Sequence, residues 1–165
     1  MDRMSRLETE VEGLRVREDI RALKARYWRM LDQFMEDAVE GLFSAHAVLD
    51  FMDYGSIEGR PAIVDFFTSD VLEAYDMMIH HGSNSEIERT SSHSATGIWQ
   101  YEAWTLAKGT GIGYWHAGWY EDRYIIEDDV WKIEYSKGQH HFNSRVTDQW
   151  AKHRFENDEW PPRAR

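Results

Sequence analysis

Ser92-His-Ser-Ala-Thr-Gly-Ile-Trp-Gln-Tyr-Glu-Ala-Trp-Thr-Leu106 decides the fold class. Side chains two apart on a strand share a face. Here one face carries Trp99, Tyr101 and Ala103, and the other Ile98, Gln100, Glu102 and Trp104. The next stretch, 112–126, repeats the pattern: Tyr114, His116, Gly118 and Tyr120 lie opposite Trp115, Ala117 and Trp119. Further strands are predicted at 78–88 and 130–140, with breaks at Arg89–Ser91, Lys108–Gly113 and Glu127–Asp129. The glycines of Lys108–Gly113 lie between two strands, not between strand and helix, so they predict a hairpin turn and not a nucleotide loop.

Helical periodicity precedes the strands. Ile20, Leu23, Tyr27, Met30, Leu31 and Phe34 form one apolar stripe, widened by Trp28 and Met35, with Asp32 at its edge. Leu7, Val11 and Leu14 predict a short amphipathic helix within 1–15, which Gly13 and the charged run Arg15–Asp19 interrupt. A strand is expected from Ala47 to Tyr54 and a turn over Gly55–Arg60. Pro61 then opens a helix with Ile63, Val64, Phe66, Phe67, Val71 and Leu72 on its apolar side. Helices first and hairpin-linked strands after give an α+β class: a curved antiparallel sheet with helices over its concave face and a pocket between. The expectation is a single domain, 1–165, with a C-terminal extension at 145–165.

Composition narrows the function. With no cysteine, disulfide scaffolds, thiolate metal sites and cysteine nucleophiles drop out. A net charge of −11 argues against a nucleic-acid partner. No run approaches the ~18 apolar residues of a membrane span. The N-terminus lacks the apolar centre of a signal peptide, so a cytoplasmic protein is expected. The 8 Trp, 8 Tyr and 7 Phe exceed what a compact core of this size needs, so aromatics line a cavity or face a partner. Of the eight histidines, the doublets His80-His81 and His140-His141 each split across a sheet, and no His-Glu-x-x-His helix exists; no metal site is expected.

The chain resembles the SnoaL-like branch of the nuclear transport factor 2-like superfamily, cone-shaped α+β folds, and within it the bile acid 7α-dehydratases and, more remotely, scytalone dehydratase. The resemblance runs from about Leu7 to Phe142. It is carried by Ile20-Arg-Ala-Leu-Lys-Ala-Arg-Tyr27-Trp-Arg-Met-Leu-Asp32, Met78-Ile-His80-His-Gly82, Ala95-Thr-Gly-Ile-Trp99, Gly118-Trp-Tyr120-Glu-Asp-Arg-Tyr124 and Val130-Trp-Lys-Ile133. It implies catalytic roles for Tyr27, Asp32 and His80. Ala103 stands where the bile acid enzymes have an aspartate, and His116 falls where scytalone dehydratase has its second histidine.

What this implies is a cofactor-free lyase, a dehydratase of a cyclic or polycyclic, steroid-like or aromatic hydroxy-ketone, with a ketosteroid-type isomerase as a close variant. His80 would be the base, oriented by Asp32, with Tyr27 and His116 donating hydrogen bonds to the enolate oxygen or the departing hydroxyl. Tyr54, Trp99, Tyr101, Ala103 and Asn143 would line the pocket around a small, apolar, ring-containing substrate. A non-catalytic ligand binder or a ring-hydroxylating-oxygenase small-subunit-like protein is the alternative. Relatives of the dehydratase type suggest a homotrimer, and Trp104, Trp115 and Trp119 on the outer sheet face would serve subunit contact.

Overall fold

The computed structural model describes residues 2–51 and 54–146. Helix α1 runs unbroken from Arg3 to Asp32, its first turn capped by the Asp2 carboxylate, which accepts from the Ser5 amide at 2.9 Å. The interruption expected between Gly13 and Asp19 does not occur. One helical glycine costs only about 1 kcal/mol, and the neighbouring Leu, Arg and Glu are good helix formers. What changes along the helix is the side that carries apolar residues, not the backbone. The helix stops immediately after Asp32: the Met35 amide reaches back to the Met30 carbonyl at 2.9 Å and Phe34 turns left-handed at φ 53. This 6→1 closure fixes where the terminal carboxylate sits.

A 3₁₀ turn at Glu36–Ala38 and the short α2, Val39–Leu42, lead into β1, Phe43–Phe51. The region expected as a turn over Gly55–Arg60 holds a short strand instead: β2, Ser56–Glu58, pairs antiparallel with β1. Helix α3, Arg60–Asp65, carries Pro61 in its first turn, where a missing amide hydrogen costs nothing, and continues as wider and tighter helical turns to Ala74. Long strands complete the chain: β3, Tyr75–Arg89; β4, Ser94–Ala107; β5, Ile112–Glu127; and β6, Val130–Val146. The Lys108–Gly111 stretch is the expected hairpin turn, and Asp128 and Asp129, at φ 53 and 60, make the β5–β6 turn. Residues 145 and 146 belong to β6; the remainder of the expected extension, 147–165, lies outside the described residues.

The six strands follow the order β2-β1-β6-β5-β4-β3. The expected all-antiparallel sheet has one exception, because β1 runs parallel to β6. The chain crosses from one sheet edge to the other through α3, so β1 meets the last strand and not the next. Register shifts in β3 between Ser83 and Glu86, and across β5 and β6 at Ala117/Gly118 and Arg123/Tyr124, bend the strands. The bent sheet receives α1 and α3 on one face, and Ile20, Leu23, Tyr27, Met30, Phe43, Leu49, Ile63 and Phe67 are almost fully buried between the layers. The far edge of the Trp28 ring lies against Gly82: a Cβ there would stand 1.8 Å from it.

Candidate active site

Between the helical layer and the sheet lies a cavity of about 220 Å³. Its floor is made by residues in register across four strands. His80 on β3 pairs with Ala103 on β4, Ala103 with His116 on β5, and His116 with Asn143 on β6. The neighbouring rows are Gly82, Tyr101, Gly118 and His140 on one side, and Met78, Thr105 and Tyr114 on the other. Strand alternation sends all three rows to the concave face. Ala103, small and 2% exposed, leaves the space between the two histidines open.

The end of α1 meets this floor at His80. The Asp32 carboxylate lies 2.6 Å from His80 Nδ1 through Oδ1 and accepts the His80 backbone amide at 3.1 Å through Oδ2. Both oxygens therefore hold one residue. A carboxylate acceptor puts the ring proton on Nδ1 and leaves the Nε2 lone pair for the cavity. The helix C-terminus, the negative end of the backbone dipole, adds to the carboxylate in stabilising positive charge arriving on that ring. Asp32 itself does not line the cavity; it acts through His80.

His116 behaves differently. Burial, reinforced by the nearby His140 and His80, lowers its pKa to about 4, so it is neutral at ordinary pH. Its Nε2 lies 2.9 Å from the Thr105 hydroxyl. Tyr27 is fully buried, its hydroxyl beside that of Tyr120 and without a hydrogen bond of good geometry among the described residues. Burial raises the Tyr27 and Tyr101 pKa values, so both remain proton donors. Tyr54 stands at the mouth, 63% exposed, edge-on to Phe66 at 5.2 Å.

Tyr27, His80, His116, Tyr54, Tyr101, Ala103 and Asn143 are thus brought together around one cavity, with Asp32 behind His80. Trp99 is not. It shares the inward face with Tyr101 but lies further along β4, where its indole packs edge-on to Trp28 at 5.6 Å and donates to the Tyr124 hydroxyl at 2.9 Å. The expected ligand contact is replaced by a structural one. His81 points to the outer face beside Trp104, and His141 beside Trp119.

Several lining residues escaped the sequence reading: Thr105, Tyr120 and His140, with Phe51, Phe67 and Met78 as apolar wall. Strand alternation from Ala103 and His116 points to Thr105 and Tyr120. His140 carries no such signal, because a bulge opposite Ala117 and Gly118 lets both residues 140 and 143 face inward. Beneath the cavity, Lys24 and Asp122 form an ion pair at 2.7 Å with both side chains at 0% exposure. Asp122 also accepts from Tyr124 and Ser136, both at 2.6 Å, and the ammonium lies 3.8 Å over the Tyr120 ring. Burial pulls the Lys24 pKa down while Asp122 opposes it. Among the described residues no group of three or more His, Asp or Glu is placed to hold a metal ion, and no helix is long and apolar enough to cross a membrane.

The family model of the SnoaL-like domain matches residues 12–137. Among solved structures, a hexachlorocyclohexane dehydrochlorinase, LinA type 3 of Novosphingobium barchaimii, superposes with a TM-score of 0.76 at 20% identity, over 83% of this chain and 94% of that one. A scytalone dehydratase-like protein of Novosphingobium aromaticivorans superposes with a TM-score of 0.75 at 18% identity, over 82% and 91%. A nuclear transport factor 2-like protein of Salmonella enterica gives 0.68 at 14% identity, over 80% and 92%. At these identities the likeness is one of fold.

Proposed function

The chain belongs to the SnoaL-like family, and from that premise we propose that it is a cofactor-free lyase that removes water from a cyclic hydroxy-ketone. The observation that carries this reading is the 2.6 Å contact between Asp32 and His80, with His80 facing a largely aromatic cavity. Elimination beside a carbonyl needs a base for the acidic C–H and a proton for the leaving hydroxyl. His80 Nε2 takes the proton from the carbon next to the carbonyl, and the electron pair moves into the enolate. The enolate oxygen is held by donors that do not ionise, the Tyr27 hydroxyl and neutral His116. As the enolate collapses, the carbon–oxygen bond breaks, and the imidazolium of His80 returns its proton to the departing hydroxide. One water leaves and the enzyme is restored, with no electron exchanged and no cofactor needed.

Cavity size sharpens the substrate class. An apolar cavity of roughly 150 Å³ takes one benzene ring, whereas drug-sized ligands occupy about 300 Å³ or more. At about 220 Å³ the site suits one or two rings better than a four-ring steroid. Tyr101 and Tyr54 offer ring faces, and Asn143 offers a polar contact beside His116. The same fold likeness to a dehydrochlorinase is consistent with elimination of a different leaving group by the same base. On the outer face, Trp104 and Trp115 stack at 6.3 Å with Trp115 39% exposed, which supports self-association through the sheet.

The test is incubation with a panel of one- and two-ring β-hydroxy-ketones, read by mass spectrometry. Loss of one water, abolished in His80→Ala, supports the reading. No loss of water from that panel, with conversion of one- and two-ring β,γ-unsaturated ketones to their conjugated isomers, would make the protein an isomerase, and binding without turnover of either substrate type would make it a binding module.

A further inference from the structure

The first half of α1 carries an apolar stripe that the other described residues do not cover. Met4, Leu7, Val11 and Leu14 are 65%, 45%, 56% and 60% exposed, although burial in the same helix begins at Val16. At about 100° per residue, this stripe lies on the side of the helix opposite Val16, Ile20, Leu23 and Tyr27, which face the sheet. The inner side is already engaged, since Glu12 pairs with Arg89 of β3 at 3.0 Å. The stripe therefore points away from the body formed by the described residues.

Its spacing of three, four and three residues is the a/d pattern of a coiled coil, with Met4 and Val11 at a and Leu7 and Leu14 at d. The flanking positions then hold Arg3 and Glu10 at g and Glu8 and Arg15 at e. In a parallel pair each g residue faces the e residue five further along the partner helix. Arg3 meets Glu8 and Glu10 meets Arg15, so every contact joins opposite charges. An antiparallel pair centred on the same stripe opposes Glu10 to Glu10 and Glu8 to Glu8. Among the described residues none of these four side chains is held in an ion pair within the chain. Val at a with Leu at d favours two strands over three or four.

We propose that residues 3–15 of α1 form a parallel, in-register two-stranded coiled coil with a second copy of this chain. The two bodies then lie on the outer sides of the helix pair, because their attachment faces are opposite the shared stripe. The contact is independent of the lyase reading and of any association through the outer sheet face.

The absence of cysteine gives a direct test. In a parallel in-register pair Leu7 faces Leu7, so Leu7→Cys crosslinks the full chain into a disulfide dimer under mild oxidation, whereas an antiparallel pair sets it against Val11. Molar mass by light scattering reads the association itself. Leu7→Glu with Leu14→Glu, both on the exposed stripe, halves the mass while leaving catalytic turnover and circular dichroism unchanged. Glu10→Lys and Arg15→Glu each raise the dissociation constant, about tenfold, and the two together restore it. The proposal is overturned by a Leu7→Cys protein that does not crosslink, by a mass that the double glutamate variant leaves unaltered, or by charge reversals that add instead of cancelling.

Discussion

Replacing Asp32 by Asn isolates what its carboxylate does, because the shape is kept and the charge is lost. In the structure Oδ1 faces His80 Nδ1 at 2.6 Å and Oδ2 accepts the His80 amide at 3.1 Å. An asparagine has one acceptor for these two donors. If its oxygen keeps the backbone amide, its NH₂ faces Nδ1 and selects the tautomer with the proton on Nε2, which removes the base from the cavity. The imidazolium formed during elimination also loses its counter-charge. Positioned acid–base catalysis contributes about 10²–10⁴, so kcat should fall about a thousandfold. KM should stay within about threefold, since Asp32 does not line the cavity. Stability should drop by only about 1–3 kcal/mol, the worth of a hydrogen bond to a charged group, because the Asp32 side chain is 25% exposed. Steady-state kinetics on a converted hydroxy-ketone, with urea unfolding in parallel, reads all three quantities. An Asp32→Asn protein that keeps wild-type kcat would refute the dyad. So would one whose loss is entirely in KM.

Three further outcomes follow from the same geometry. His116 has a folded pKa of about 4, below its ordinary 6.5, so between those values the unfolded chain binds more protons and stability falls as pH drops from 6.5 to 4; His116→Gln should flatten that limb by ~1–2 kcal/mol, allowing for water at the open cavity, as measured by urea unfolding at stepped pH. Gly82→Ala drives a methyl into the Trp28 ring and should cost about 1–3 kcal/mol, visible as a lowered Tm with shifted tryptophan fluorescence. Lys24→Met strands the Asp122 charge in the core and should cost about 3–5 kcal/mol, much of it recovered in the double variant with Asp122→Asn; additive losses in the unfolding data would contradict the pairing.

Local periodicity carried much of the architecture. The alternation in 92–106 and 112–126 places Tyr101, Ala103, His116 and Tyr120 on one face, and the stripe through Tyr27 brings Asp32 to the helix end. What stayed hidden depends on contacts between distant segments. The parallel pairing of β1 with β6 is set by how the chain crosses the sheet, which no window of sequence contains. Lys24 reads as a solvated lysine until Asp122, on β5, is brought beneath it. Alternation gives the face of Trp99 but not its position along the strand, and that position puts it in the core. The β6 bulge lies opposite Gly118, but a glycine in a neighbouring strand does not say which β6 residue is displaced, so His140 and Asn143 could not both be assigned inward. Gly13 and the charges after it read as a break because the apolar stripe changes sides there, from one facing outward to one facing the sheet.

In the proposed reaction His80, held by Asp32, removes a proton from carbon beside a carbonyl. Deuterium exchange tests that step without any leaving group. A saturated one- or two-ring ketone is incubated in D₂O with the wild-type protein and with His80→Ala, and label on the adjacent carbon is followed by mass spectrometry. Enzyme-dependent exchange that disappears in His80→Ala, and returns in part when imidazole is added, is the predicted result. Exchange by His80→Ala at the wild-type rate would contradict it.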